Sequence, residues 1–291
     1  MDECNQDGNF VGDDQSKNAV IYIDYVDLLP FEGQEREDLF CEAHRYSSSD
    51  DWKEQFFSTD LLRRINKYEP SLIEEHSMDI FPFVENCINS PRTSLGKNTL
   101  VLCQELYMSN RTERMIEFTC NLIPILVAKV GFESKFLSAE SLIALQFCAA
   151  SMAYPQCIDA LLAHADYRNC LVKTQVWKAI TICIQNLQPE MFNLEGDLPD
   201  SHSFGLFLET ICKALVVSKS TEAKESTKIL KYIGKETVKS LCDRIFDEQN
   251  QHKTERIMNV FQPKKKGRTL KRRAKNHTKG KSKADFFICV E

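Results

Sequence analysis

The feature that most constrains this chain is a recurring pair of apolar stripes at helical spacing. In SFGLFLETICKALVV, Phe204, Phe207, Leu208, Ile211, Cys212 and Leu215 follow one another at steps of three, one, three, one and three, which puts them on one helix face. The next stretch, TEAKESTKILKYIGKETV, is charged on one side and apolar at Ile229, Leu230 and Ile233, so it reads as a more exposed partner helix. Similar pairs recur: SMDIFPFVENCI with LGKNTLVLCQELYM, ERMIEFTCNLIPILVAKV with SAESLIALQFCAASM, and YPQCIDALLAHA with LVKTQVWKAITICIQNL. Their first helices begin near residues 78, 113, 154 and 203, a step of about 40 residues. One helix of such a pair cannot bury its apolar face alone, so neighbouring pairs must stack and share a core.

That period is the one expected of HEAT or armadillo repeats, and the predicted fold class is all-α, an α-solenoid of helical hairpins over residues 38–261. Ten glycines speak against a sheet-rich fold with many tight turns. The gap QPEMFNLEGDLPDSH, with two prolines and a glycine, reads as a loop between the fourth and fifth pairs. Ahead of the helices, AVIYIDYVDLLPF is rich in β-branched and aromatic residues and fits a short strand or a docked extended segment equally well. Residues 1–37 form an acidic, largely disordered N-terminal segment in this reading, and residues 262–291 a basic disordered tail.

Several function classes lack the residues they need. The twelve cysteines include no CxxC pair, and Cys87, Cys103, Cys120, Cys148, Cys183 and Cys212 fall inside apolar runs, as reduced core thiols of an intracellular protein would. MDECNQDGNF holds no apolar secretory core, and no window approaches the roughly 18 apolar residues of a membrane helix. GKS at 280–282 has Lys275 where a phosphate loop requires glycine. His44, His76, His164, His202, His252 and His277 form no HExxH, and His164 reads as closing a helix against its carboxyl-end dipole. No enzyme activity, cofactor or metal is expected.

The formal net charge of -5 hides a polarised chain. Residues 1–60 hold 4 basic and 16 acidic groups, residues 263–283 hold 11 basic and no acidic groups, and the body between is nearly neutral. The two ends could therefore interact with one another.

In a stack of hairpins the short turns within each pair line up along one edge. Those turns are SSSDDWKEQ, SPRTSLGKN, FESKFLSAES, YRNCLVKT and KSTEAKESTK, and each carries Lys or Arg. Arg92 and Lys97 thus belong to a basic strip, although exposed turns are polar in any solenoid. Trp52, one of two tryptophans, is either a core residue capping the first hairpin or an exposed anchor of the kind that dominates interfaces. Trp177, in QVWKAITICI, is a core residue.

At these turns the chain resembles the TOG domains, six-repeat HEAT modules that bind αβ-tubulin, and among them the CLASP and crescerin type. The resemblance spans about residues 38–261 and is carried by DDWKEQFFSTDLLRRI, PRTSLGKNTLVLCQELY, SKFLSAESLIALQFCAA and YRNCLVKTQVWKAI. It implies that the turns within the hairpins dock on tubulin, the early ones facing β-tubulin and the later ones α-tubulin. Trp52 would then be the apolar anchor, Arg92, Lys97, Lys135, Lys173 and Lys224 would meet an acidic surface, and Asn169 would donate or accept hydrogen bonds beside them. Lys173 and Lys224 stand where the family usually has arginine, and so lack its planar fork.

The run PKKKGRTLKRRAKNHTKGKSK, with Lys264, Lys265, Lys266, Arg268, Lys271, Arg272 and Arg273 at its head, fits three roles: a nuclear localisation signal read by an import receptor, a nucleic-acid arm, or a tether to acidic tubulin tails. Aromatic residues come only at Phe286 and Phe287, which argues against base stacking and specific nucleic-acid reading. The expected partners are tubulin or microtubules and the expected location is the cytoplasmic cytoskeleton, including cilium or spindle. The alternative is a HEAT-repeat interaction scaffold in the nucleus.

Overall fold

The structure is a computed structural model, and it describes residues 22–33, 36–108, 111–132, 134–187, 201–217 and 219–263, with side chains in 201–217 given from Gly205 onward. Helices α1 (Arg36–Ser47), α2 (Trp52–Tyr68), α3 (Pro70–Glu75), α4 (Ser77–Asn89), α5 (Thr93–Leu106), α6 (Ile116–Val130) and α7 (Lys135–Ser151) are followed by α8 (Pro155–Leu162), α9 (Cys170–Asn186), α10 (Ser201–Ala214), α11 (Thr221–Ile233), α12 (Lys235–Ile245) and α13 (Gln251–Met258). There is no strand among the described residues. A compact unit ends at Phe261, and the chain from Gln262 to Glu291 forms a second unit. The gap 188–200 and the tail from 264 onward, both read from sequence as loop and disordered segment, lie outside the described residues.

The helices form six hairpins in two layers. The second helices make a continuous row in which α2 packs on α5, α5 on α7, α7 on α9 and α9 on α11. The first helices make the other row, with α4 on α6, α6 on α8, and α8 on α10. A shared core runs between the rows, through residues such as Ile65, Leu95, Cys103, Leu122, Leu145, Val176 and Ile229. Each such side chain contributes about 1.5–3 kcal/mol by leaving water, and each does so only because a neighbouring hairpin covers it. The buried thiols belong to this core; burial pushes those of Cys87 and Cys183 up to about 12, far from reactive thiolates. Cys120, half-buried, is the exception in the group.

Two elements differ from the sequence reading. TEAKESTKILKYIGKETV is broken in two: α11 stops at Ile233 because Gly234 takes φ +93, and α12 starts at Lys235. A left-handed residue ends an α-helix, and glycine adopts that conformation without a Cβ clash. The apolar stripe continues on both sides of the break, so periodicity alone could not reveal it. The break creates a sixth hairpin, α12 with α13.

The second difference concerns residues 1–37, read as largely disordered: within them AVIYIDYVDLLPF takes the docked alternative that the sequence left open beside a strand. Its described part, from Tyr22, is a docked strap containing one short 3-10 turn at Tyr25–Asp27. The strap rises along α2, from Phe56 beside Tyr22 to Lys67 beside Tyr25, and turns back to Arg64 at Leu29, and cations on α2 take up its carbonyls. Arg63 Nη2 donates to Ile23 O at 2.7 Å, Lys67 Nζ to Tyr25 O at 2.7 Å and Leu28 O at 3.0 Å, and Arg64 Nε to Leu29 O at 3.0 Å. Leu28 plugs into the core, and Tyr22 packs edge-on against Phe56. A strand would have left these carbonyls to another strand, and none is present among the described residues.

Arg63 is the hub of this corner. Only 1% exposed, it pairs with Glu105 (2.6 and 2.9 Å) and with Asp60 (3.3 Å), and donates to Asn98 Oδ1 (3.2 Å). Burial lifts the carboxyls of Asp60 and Glu105 above their ordinary range while Arg63 draws them back down. A second buried arginine, Arg111, donates to Asn66 Oδ1 and Leu106 O and pairs with Glu74, tying α3 and α5 to α2. Arg63→Met strands the buried Glu105 carboxyl and the half-buried Asp60 carboxyl and removes one of the strap's holds, and is expected to cost about 3–5 kcal/mol in chemical denaturation; a change below about 1 kcal/mol would show that the network does not stabilise the fold.

Candidate docking edge

Every second helix starts at the turn within its hairpin, so the stacked row brings these starts to one side. Direct contacts trace the resulting rim. The Arg92 guanidinium lies 5.7 Å from the centre of the Trp52 ring, joining the first and second turns. Lys97 Nζ is 4.4 Å from the centre of the Phe136 ring, joining the second and third. A Cβ built on Gly131 would meet Val172 Cγ2 at 2.8 Å and Asn169 Nδ2 at 3.8 Å, joining the third and fourth. Lys173 Nζ lies 3.9 Å from Glu222, joining the fourth and fifth.

The helix starts themselves are built by local chemistry. Asp51 Oδ1 caps α2 by accepting from Lys53 N at 2.9 Å, and Ser134 and Ser220 cap α7 and α11. Asn169 Oδ1 caps α9, accepting from Leu171 N at 2.9 Å and Val172 N at 3.5 Å. α5 differs: Arg92 occupies its cap position and no side chain satisfies its first turn. Ser90, the nearest hydroxyl, instead accepts from Arg92 N.

The sequence-nominated residues therefore share the rim but differ in state. Arg92, Lys135 and Lys224 are exposed. Trp52 is half-buried, packed against the core with its ring beside Arg92, between the two roles open to it from sequence. Lys97 is half-buried between the rings of Tyr22 (4.3 Å) and Phe136. Asn169 has spent its side-chain oxygen on α9. Lys173 is ion-paired with Asp166 at 2.9 Å, and that hydrogen bond raises the ammonium above its ordinary range while lowering the Asp166 carboxyl. Trp177 is core, with Nε1 donating to Ala165 O at 3.0 Å. His164 directly follows Ala163, the C-cap of α8, and burial holds its imidazole below its usual 6.5. Lys264, Lys265, Lys266, Arg268, Lys271, Arg272 and Arg273 lie outside the described residues.

Sequence reasoning missed the apolar side of the rim. Phe132, Phe136, Leu171, Val216 and Val217 are all exposed at the third to fifth turns, Leu171 by 76%. Phe136 and Leu171 each stand two residues after a capping Ser134 or Asn169, off the helix stripe, and that placement was the available signal. Between the fourth and fifth hairpins the rim opens into a cleft of about 400 Å³, lined by Trp177, Val217, Asp166, Lys173, Lys213 and Glu222. Lys219, in the fifth turn, holds φ +78, a conformation that non-glycine residues rarely adopt. No group of three metal-ligating side chains occurs among the described residues, and no described helix is long and apolar enough to cross a membrane.

Comparison with solved structures finds the same architecture elsewhere. A TOG-domain chain from work on the structural basis of microtubule plus-end tracking by XMAP215, CLIP-170 and EB1 matches with a TM-score of 0.52 and 15% identity, over 81% of this chain and 95% of that one. The protein is a HEAT/armadillo-like repeat solenoid. A designed armadillo repeat protein is also similar, at a TM-score of 0.40 and 13% identity, over 76% of this chain and 99% of that one. No protein-family model matches the sequence, and no curated protein matches it. The solenoid's rim depends on close approach of α6 to α9 at Gly131. Gly131→Ala is expected to destabilise the fold by about 1–3 kcal/mol, read as a lowered Tm; an unchanged Tm would mean that the third and fourth hairpins are not this close.

Proposed function

We propose that the rim is a docking edge for an acidic protein surface and that tubulin, free or in microtubules, is its partner, in a domain of the TOG type closest in pattern to the CLASP and crescerin members. The observation that carries this reading is the unbroken line of contacts from Trp52 to Glu222, which sets Arg92, Lys135 and Lys224 on one edge beside exposed aromatic and aliphatic side chains. Cations beside apolar anchors suit an acidic partner: the charges raise the encounter rate, and a few desolvated anchors hold the complex. The uncapped start of α5 offers backbone N–H groups to a carboxylate next to Arg92. Similarity to the TOG-domain chain supports the reading at the level of the fold.

In this reading residues 1–37 are an acidic lead, 38–261 the docking solenoid and 262–291 a basic tail that adds avidity on an acidic lattice, at the cytoskeleton. The domain acts by binding, without chemistry of its own. A second reading is favoured by the later turns. Lys173 is held by Asp166, Asn169 is committed to its helix, and Leu171, Val216 and Val217 are bare. That half of the rim suits an apolar partner, as in an interaction scaffold, with the tail as its localisation signal.

The two readings separate by sign. Arg92→Glu is expected to weaken co-pelleting with microtubules by on the order of ten-fold at low salt. Asp166→Asn, which removes the nearer of the two carboxylates beside Lys173, is expected to strengthen it. Equal pelleting of both variants and the parent chain would refute docking through the rim, and salt-insensitive binding would refute its electrostatic part.

A further inference from the structure

The strap has a second consequence, set by where it starts. At the strap's first described residue, Tyr22 donates from its hydroxyl to Ser94 O at 3.4 Å, in the first turn of α5. Its ring is covered by Lys97, whose ammonium also contacts Phe136 in the first turn of α7. The 21 residues ahead of Tyr22 therefore enter the fold at the rim, between the second and third turns. They carry Asp2, Glu3, Asp7, Asp13 and Asp14 against a single Lys17, and include the apolar pair Phe10 and Val11.

We infer that this acidic arm is an intramolecular occupant of the rim, lying over the first turns of α5 and α7, and that an acidic partner must displace it. The inference rests on the rim being the docking edge proposed above. Charge is complementary: the exposed cations at this point are Arg92 and Lys135, and the α5 start is uncapped. Apolar character is matched too, since Phe132 and Phe136 are exposed beside them and the arm has an aromatic and a β-branched residue next to its aspartates. Reach agrees: Asp14 is eight residues from Tyr22, an extended span of at most about 28 Å. Neighbouring helices in the row are about 8–10 Å apart, so Asp13 and Asp14 can meet the second, third and fourth turns without strain. The strap gives the arm a high effective concentration at the rim, because Tyr22 fixes its end beside Ser94 and Lys97, while Leu28 and the Arg63, Arg64 and Lys67 contacts hold the rest of the strap farther along α2.

The rim is not uniformly cationic. Asp51 and Glu54 flank Trp52, and Asp166 and Glu222 hold Lys173. These acids bracket the stretch from Arg92 to Lys135, where the carboxylate beside Tyr22 is Glu140, which accepts from Gln104 Nε2 at 2.6 Å.

Zero-length carbodiimide cross-linking of the full chain at low salt, mapped by mass spectrometry, tests the contact without reference to any partner. Intramolecular links from Asp13 or Asp14 to Lys135 or Lys97 are expected, and they should disappear at 0.5 M salt. Links made only to lysines of the tail, links that vanish on dilution, or no links from the arm overturn the inference. The full-length double variant Asp13→Asn with Asp14→Asn should then bind tubulin roughly three-fold or more tightly at low salt. If the links form and both chains bind tubulin equally, the arm is no competitor and the inference fails. If the links form and neither chain binds tubulin, the tubulin reading fails and the arm contact stands.

Discussion

Every hairpin of this protein has more apolar surface than its own two helices can cover, and side-by-side stacking is the only arrangement that removes the excess from water. That constraint sets the rest. It makes the second helices run in one direction in a single row, so their starts, with their caps, fall on one side. The rim is a by-product of core formation, and its geometry is as rigid as the core beneath it. A binding edge built this way needs no loop of its own to be ordered, because residues such as Arg92 and Lys135 occupy the first positions of packed helices.

The corner formed by α2, α5 and the strap shows a different physics. Here buried arginines, beside apolar contacts, connect elements distant in sequence. Arg63 links Ile23, Asp60, Asn98 and Glu105, and Arg111 links Asn66, Leu106 and Glu74. Ion pairs of this kind add little net stability compared with well-packed apolar side chains, but they tolerate few alternatives once buried. They give the strap one path over α2, which apolar packing by Leu28 alone would not do. The path places the entry of the acidic arm beside Arg92 and Lys135, two exposed cations of the rim.

Residues whose environment is local were legible in advance. Trp177 sits in an apolar helical run and is core; the stripes of α4 to α9 predicted the pairs that stack; Arg92 and Lys135 stand at turn positions that exposure follows from directly. What could not be read depends on neighbours far along the chain. Lys173 looks like any turn lysine until Asp166 and Glu222 are found beside it. Asn169 reads as a free hydrogen-bonding group until its oxygen is found accepting from Leu171 N and Val172 N. Arg63 looks like an exposed helix cation in LLRRINKY, and only the packing of α5 and the strap shows that it is buried.

The sequence by itself determined that the chain forms helices in pairs about 40 residues apart and that its charge is separated toward the ends, because periodicity and composition are written residue by residue. The tertiary structure alone decided which charges remain free, where Gly234 divides the last helices, and which way the strap runs. Those outcomes follow from distances between side chains remote in sequence, and a pairing energy that falls with distance and rises with burial has no expression in the sequence until the fold brings its members together.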